Sequence, residues 1–355
     1  MKRILSILTV MILTASLSAP SVFAGNDNRR GTAGATELLI NPWARSSSWG
    51  GVNTACARGI DAFFSNIAGL SFVEKTEFVY SNTILNGGRN GLVSGASINA
   101  FGLALRIGEA GVLGAYVMAM GCGDLPITTE ESPEPGSNGT FSPTLMNLNV
   151  AFSYSFTTSI HGGANIKVIS ESTDNVTASG VAIDAGIQYQ TGEYDELKFG
   201  IALKNIGPSL SFNGTGLAFT TVNEAGNSMT VAFREAEMEL PTYLNIGLSY
   251  DFLFEKWSQR LTLAGNFTSN AFLRDLFGLG FEYSLLDRFQ VRAAYVYQRG
   301  MFDSAERTTA NAGVHAGASV NVPLKKDGGP NFSIDYSYRS SYLKGTHSIG
   351  ATFKF

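Results

Sequence analysis

The sequence predicts an all-β protein, a transmembrane antiparallel β-barrel of about fourteen strands with an amino-terminal plug, or hatch, segment. Three observations predict it. The first residues are built like an export leader, the rest of the chain alternates apolar with small or polar residues at a period of two, and the links between alternating segments sort by length.

Lys2 and Arg3 precede an apolar run from Ile4 to Leu17, and Val22 and Ala24 occupy the positions a signal peptidase prefers. Residues 1–24 are therefore expected to be a signal peptide, and with no cysteine at the cut no lipid anchor is expected. The two cysteines, Cys56 and Cys122, lie far apart in sequence, and a disulfide is possible after export but not indicated.

Of 355 residues only 15% are charged, against roughly 25% in an average protein, while 40 are Gly, 24 Phe and 13 Tyr. This excludes disorder and coiled coil. The formal net charge is −4 with no basic cluster, so nucleic acid is excluded as a partner. Beyond the leader no run of about 18 apolar residues exists, and candidates such as residues 111–120 stop near ten. A membrane crossing is left to strands.

Residues 25–75 do not alternate. Leu38-Leu39-Ile40 leads to Asn41-Pro42 and Trp43, then to Ser46–Ser48 and Trp49-Gly50-Gly51, with a helix expected over Thr54–Ser65. A barrel of about fourteen strands has room inside for an inserted segment, so residues 25–75 are expected to fold within it as the hatch.

Residues 76–355 form the barrel. Its segments fall at about 76–84, 95–107, 110–121, 143–157, 159–172, 177–191, 195–206, 240–254, 258–268, 274–287, 288–300, 306–322, 330–339 and 346–355. In the last, His347, Ile349, Ala351, Phe353 and Phe355 share one face and Thr346, Ser348, Gly350, Thr352 and Lys354 the other. A soluble sandwich would place many Lys and Glu on its wet face. Here the second face is Gly, Ser, Asn, Thr and Ala with occasional charges (Lys167, Asp184, Lys204, Asp251, Glu282, Arg292), which suits a crowded polar lumen, and the aromatic face suits lipid.

The even-to-odd links are nearly all tiny and are placed on the periplasmic side; the two longest links, 122–142 and 207–239, fall on the external side. The first carries Asp124, Glu130, Glu131 and Glu134 among prolines, an acidic excursion that would steer a basic partner or simply be solvated. The second carries Phe212, Leu217, Phe219, Phe233 and Met238, more apolar than a free loop should be. It is expected to pack over the barrel mouth or to cover a protein partner. Phe353 and Phe355 resemble the terminal-strand signal read by barrel-assembly machinery, the plain alternative being an apolar last strand.

Catalysis has no visible candidate. His161, His315 and His347 are far apart on expected strands, and no metal-ligand spacing, nucleophile elbow or phosphate loop occurs. No enzyme activity, metal or cofactor is expected.

Ala44-Arg45 through Trp49-Gly50-Gly51-Val52, then Asp61-Ala62-Phe63-Phe64-Ser65-Asn66-Ile67-Ala68-Gly69-Leu70, resembles the amino-terminal signature of the PorV/PorQ family of type IX secretion outer-membrane proteins, distant relatives of the FadL fatty-acid transporters. Within it Arg45, Trp49, Gly50, Gly51, Asp61, Asn66, Ala68 and Gly69 form the hatch motif, with Ile67 where relatives usually carry proline. Lys204-Asn205-Ile206-Gly207-Pro208, Leu240-Pro241 with Leu244–Tyr250, and Asp335-Tyr336 through His347 extend the likeness. The resemblance implies a FadL-like barrel, set in outer-membrane lipid, that is not an enzyme. Its partners would be the type IX translocon, secreted cargo bearing a C-terminal signal domain, and an attachment complex containing the PorU sortase. The fold alone would equally permit a FadL-like channel for hydrophobic small molecules such as fatty acids. A diffusion porin is disfavoured by the expected plug.

Overall fold

The structure is a computed structural model and describes residues 25–85, 96–129, 131–134, 138–233, 237–254, 258–325, 329–342 and 344–355. The expected signal peptide and Glu130 lie outside the described residues.

Among those residues fourteen long strands pair in chain order: β1 (Thr76–Leu85), β2 (Ser97–Ile107), β3 (Gly111–Gly121), β4 (Thr144–Ser155), β5 (Ile160–Thr173), β6 (Val176–Thr191) and β7 (Leu197–Ile206) lead to β8 (Tyr243–Phe254), β9 (Gln259–Asn270), β10 (Leu276–Leu285), β11 (Phe289–Gln298), β12 (Asn311–Pro323), β13 (Asn331–Ser341) and β14 (Thr346–Lys354). Every neighbouring pair is antiparallel, and β14 returns to β1 with Phe353 opposite Phe78, so the sheet closes into a barrel. Closure removes the free edges that would leave backbone groups unpaired in lipid. No helix among the described residues is long and apolar enough to cross a membrane.

The pleat decides which side chains face out. On β4, Leu148, Val150, Phe152 and Tyr154 are 42–49% exposed while Asn147, Asn149 and Ser153 are buried. On β14, Ile349 and Phe353 face out and Ser348 and Thr352 face in. Exposed apolar side chains on nearly every strand make a lipid-facing surface. Two strand starts differ from expectation by three residues or more. Strand β8 begins at Tyr243, not at residue 240, because Pro241 has no N–H to give the ladder. Strand β12 begins at Asn311, not at 306, and its register against β13 shifts between Asn311 and His315, where Gly313 adopts φ +88°.

Residues 25–75 lie against the inward faces of the strands as short turns, with α1 (Ala44–Ser47) and α2 (Ala62–Ser65) the only α-helical pieces in the segment. The helix expected over 54–65 is thus confined to its last turn. Gly59 sits at φ +71°, where a Cβ would collide with the Glu77 carboxylate, and Ile60 N donates to Glu77 Oε1 at 3.2 Å, which ends any continuous helix there.

The lumen is also less polar than its composition suggests. Trp43, Ile60, Phe63, Ile67 and Leu70 of the amino-terminal segment form one apolar cluster with Val79, Ile98, Ala100, Ala104, Val112 and Met118, which point inward from β1–β3. Tyr116 meets Trp43 and Phe63 edge-on, with centroids 5.3 and 4.9 Å away. Each large apolar side chain so covered contributes roughly 1.5–3 kcal/mol against leaving it in a wet lumen. Small residues open the space: a Cβ on Gly102 would meet Ile60, on Gly114 Leu70, and on Gly280 Trp49.

Candidate functional site

The amino-terminal segment is fastened to the wall by polar side chains that its sequence places on tight turns. Arg45, on α1, donates through Nε to Asp335 Oδ1 at 3.1 Å and through Nη2 to Ser333 Oγ at 2.8 Å, with Asp61 Oδ2 3.9 Å away. Burial pulls the Arg45 pKa down, and Asp335, Asp61 and Glu77 more than offset it, so the guanidinium stays charged. Asp61 is pushed up to about 7 by burial, with Arg45 opposing.

Asn66 holds the next turn. Its Oδ1 accepts from Ala68 N at 3.2 Å, and its Nδ2 donates to Thr54 O and Ile187 O, both at 3.0 Å. A side-chain cap therefore closes the turn that a proline at position 67 would stiffen. Ala68 O accepts from Ser71 and Ser153, and Gly69 lies so close to Ala57 O that no Cβ fits. Trp49 is buried against Val52 and Ala264, and Gly50 and Gly51 follow at φ +60° and +83° with Gly50 on the His315 ring. Of the eight residues expected to form the hatch motif, Arg45, Trp49, Gly50, Asn66 and Ala68 meet strand residues, whereas Asp61 and Gly69 meet other residues of the amino-terminal segment.

Luminal charges form compact groups. Asp184 receives Lys204 at 2.7 Å and Lys167 at 2.9 Å, and its Oδ1 accepts from Asn205 N at 2.9 Å. Lys204 also donates to Phe63 O at 2.7 Å, which ties this group to the amino-terminal segment. Glu282 takes Arg292 at 2.6 Å and Arg260 at 2.7 Å, and Lys198 pairs with Asp251. Pairing is what makes such burial tolerable. Glu37 is an exception: it is 2% exposed and lies beside Asn147 and the Glu171 carboxylate. Burial, reinforced by the nearby Glu171 charge, pushes it up to about 7.

Above this segment, toward the long loops, lies a cavity of about 210 Å³. Asn41, Gly50, Val52 and Phe64 form its floor; Asn245, Asn266, Asn270, Leu276, Gln298, His315 and Arg339, from β8–β13, form its wall. Among the wall residues only His315 stood out in the sequence, as an isolated histidine. Each is an ordinary inward residue of an alternating strand until the register brings it beside the others.

The external loops separate into two behaviours. Asp124, Glu131 and Glu134 are exposed, and Asp124 accepts a hydrogen bond from Ser142 Oγ. In the longer loop Leu210 is buried and Phe212 pairs with Ala178 of β6, so this part lies on the barrel. Beyond it a two-stranded hairpin, Ala218–Val222 with Ser228–Ala232, carries Phe219 and Phe233, 44% and 64% exposed with centroids 5.1 Å apart. Phe353 and Phe355 face outward at the seam, packed against Phe332 and Phe78. Cys56 and Cys122 are both free thiols.

No family model matches the chain, and no curated protein matches it either. Solved structures share its fold. The toluene transporter TodX of Pseudomonas putida matches at TM-score 0.54 and 13% identity, covering 88% of this chain and 97% of that one. The monoaromatic hydrocarbon channel CymD matches at 0.55 and 14%, covering 89% and 98%. A Pseudomonas aeruginosa FadL homologue matches at 0.51 and 12%, covering 88% and 97%. The fold is therefore that of the FadL-like barrels.

Proposed function

We propose that this protein is an outer-membrane channel of the FadL-like type, with residues 25–75 as its hatch, that takes small molecules from outside into the luminal cavity. The observation that carries this reading is the cavity itself: it is floored by the hatch, walled by six strands and set on the long-loop side. The fold shared with hydrocarbon channels supports the same reading. A solute resting there has the hatch between it and the other end of the lumen, so passage requires the hatch to shift while the barrel keeps its shape. Reconstitution into liposomes tests this. Solute uptake that rises when the hatch contacts are weakened supports it; liposomes as tight as protein-free ones, with and without an intact hatch, refute it.

A second reading is favoured by one specific observation, the exposed aromatic hairpin at 218–232, together with the resemblance to PorV/PorQ. On that reading the barrel docks secreted cargo of the type IX system and delivers it to the attachment complex, where PorU does the covalent chemistry. Deleting the gene in a strain without paralogues would then trap signal-bearing cargo in the periplasm, and normal surface display would refute it.

A further inference from the structure

The luminal cavity is chemically biased. Arg339 of β13 and His315 of β12 are register partners, and both line it. Among the lining residues there is no Asp, Glu or Lys, which leaves Arg339 as the sole formal charge. The other luminal cations Arg45, Arg292, Lys167, Lys198 and Lys204 each meet a carboxylate. Arg339 makes no ion pair and no side-chain hydrogen bond among the described residues. A half-buried guanidinium without a counter-charge is costly to hold, yet it presents a planar fork of donors shaped for a carboxylate.

The wall beside it is rich in amides. Asn245 Oδ1 accepts from Thr268 Oγ1 at 2.6 Å, and Asn311 Nδ2 lies 3.1 Å from His315 Nε2. Asn266 Nδ2 donates to Thr268 Oγ1 at 3.0 Å, while its Oδ1 is buried in the wall beside Gly247. Phe64, Leu276 and Val296 add apolar surface between these groups. The cavity volume is about 210 Å³. That is short of the roughly 300–1,000 Å³ typical of larger ligands.

From this arrangement we infer that the cavity is a binding site for a small organic anion, a carboxylate whose short carbon skeleton carries hydroxyl or amide groups. Arg339 holds the carboxylate, and the amides of Asn245, Asn270 and Gln298, which line the same cavity, address the polar substituents. This rests on the channel reading above and narrows it: a hydrocarbon would leave the guanidinium unpaired, whereas a polar acid satisfies it and meets the amides as well.

The test uses the full chain in lipid nanodiscs, titrated calorimetrically with gluconate, with sorbitol as its uncharged counterpart, and with octanoate as an acid bearing only an alkyl chain. Gluconate is expected to bind at least about tenfold more tightly than sorbitol, because a charge-assisted bidentate pair is lost in the latter. Arg339→Gln should remove that preference, Arg339→Lys should restore part of it, and Asn245→Leu should weaken gluconate while leaving octanoate unchanged. Heat-modifiable migration on gels checks that each variant keeps its barrel. Equal binding of gluconate and sorbitol, or an unchanged preference in Arg339→Gln, overturns the anion site and leaves the channel reading standing. Tighter binding of octanoate than of gluconate overturns the polar-ligand part. Failure of all three probes to bind overturns the inference, and tight liposomes in the flux assay would then take the channel reading with it.

Discussion

Arg45 and Asp335 are 290 residues apart in sequence and 3.1 Å apart in the lumen, joining the first helix of the chain's interior segment to the penultimate strand of the wall. Asp335 also accepts from Ser319, so the carboxylate is held from its own side of the barrel before the arginine arrives. Removing one member of a buried pair leaves the other uncompensated, at a cost of roughly 3–5 kcal/mol. Arg45→Gln is expected to loosen residues 25–75 while the barrel persists. Proteolysis should cut that segment faster in the variant, with unchanged heat-modifiable migration; equal cleavage rates would show that the pair does not fasten it.

Acid should tighten the same segment. Asp61 and Glu37 each rise to about 7 from ordinary values of 3.8 and 4.5, chiefly through burial, and both belong to the interior segment. A carboxyl whose folded pKa lies above its unfolded one binds more protons when folded, so its stabilising effect is complete below about pH 4 and is lost as pH rises to about 7. Hydrogen exchange of residues 25–75 is therefore expected to be slower at pH 5 than at pH 8 once corrected for intrinsic rates. In Asp61→Asn the difference should shrink. A pH-independent protection pattern would contradict the assignment.

The two thiols should differ in reactivity. Burial pushes Cys56 up to about 11, and it sits within the interior segment; Cys122 lies just past the end of β3. Brief maleimide treatment of the native protein is expected to add one label, at Cys122, and treatment after unfolding to add two. Two labels on the native protein would mean that Cys56 is not covered.

At Gly69 a Cβ would collide with the Ala57 carbonyl, which is backbone and cannot step aside. Gly69→Ala should cost about 1–3 kcal/mol through overpacking and displace the turn capped by Asn66. The measurement is a lowered midpoint for release of the interior segment, with the barrel's own unfolding unchanged.

The aromatic hairpin should be dispensable for folding. Phe219 and Phe233 stack on each other and are largely exposed, so replacing both by Ser is expected to shift stability by no more than roughly 0.5 kcal/mol. Affinity purification from membranes reads the other side of the question. Loss of co-purifying cargo in the double variant favours the docking reading, and an unchanged partner profile counts against it.

Much of this architecture was legible in the chain because a strand in a barrel obeys a local rule. Phe152 and Ser153 point to lipid and lumen for no reason beyond their parity, and the same parity assigned Lys167, Asp184, Lys204 and Glu282 to the interior, where they pair. What parity does not carry is register. Nothing local tells that Arg339 stands opposite His315 with no acid in reach, or that Ile98 and Met118 face an apolar partner instead of water. The helix expected over 54–65 failed for a related reason: Gly59 is committed to Glu77, a residue of the first strand, and a periodicity argument has no access to that contact.

The pairing of β1 with β14 also imposes an order of assembly. Leu85 meets Thr346 and Glu77 meets Lys354, segments separated by most of the polypeptide, so the ring of strands stays open until nearly all of the chain is present. Arg45 reaches β13 and Asn66 reaches β6 on the opposite side of that ring, so the segment that carries Trp43 and Phe63 must be seated before the gap shuts, since a sealed cylinder offers no side entrance for bulky rings. Premature zipping of the wall would therefore strand some fifty residues outside, and the slow, non-local closure of the seam allows time for the core to fill.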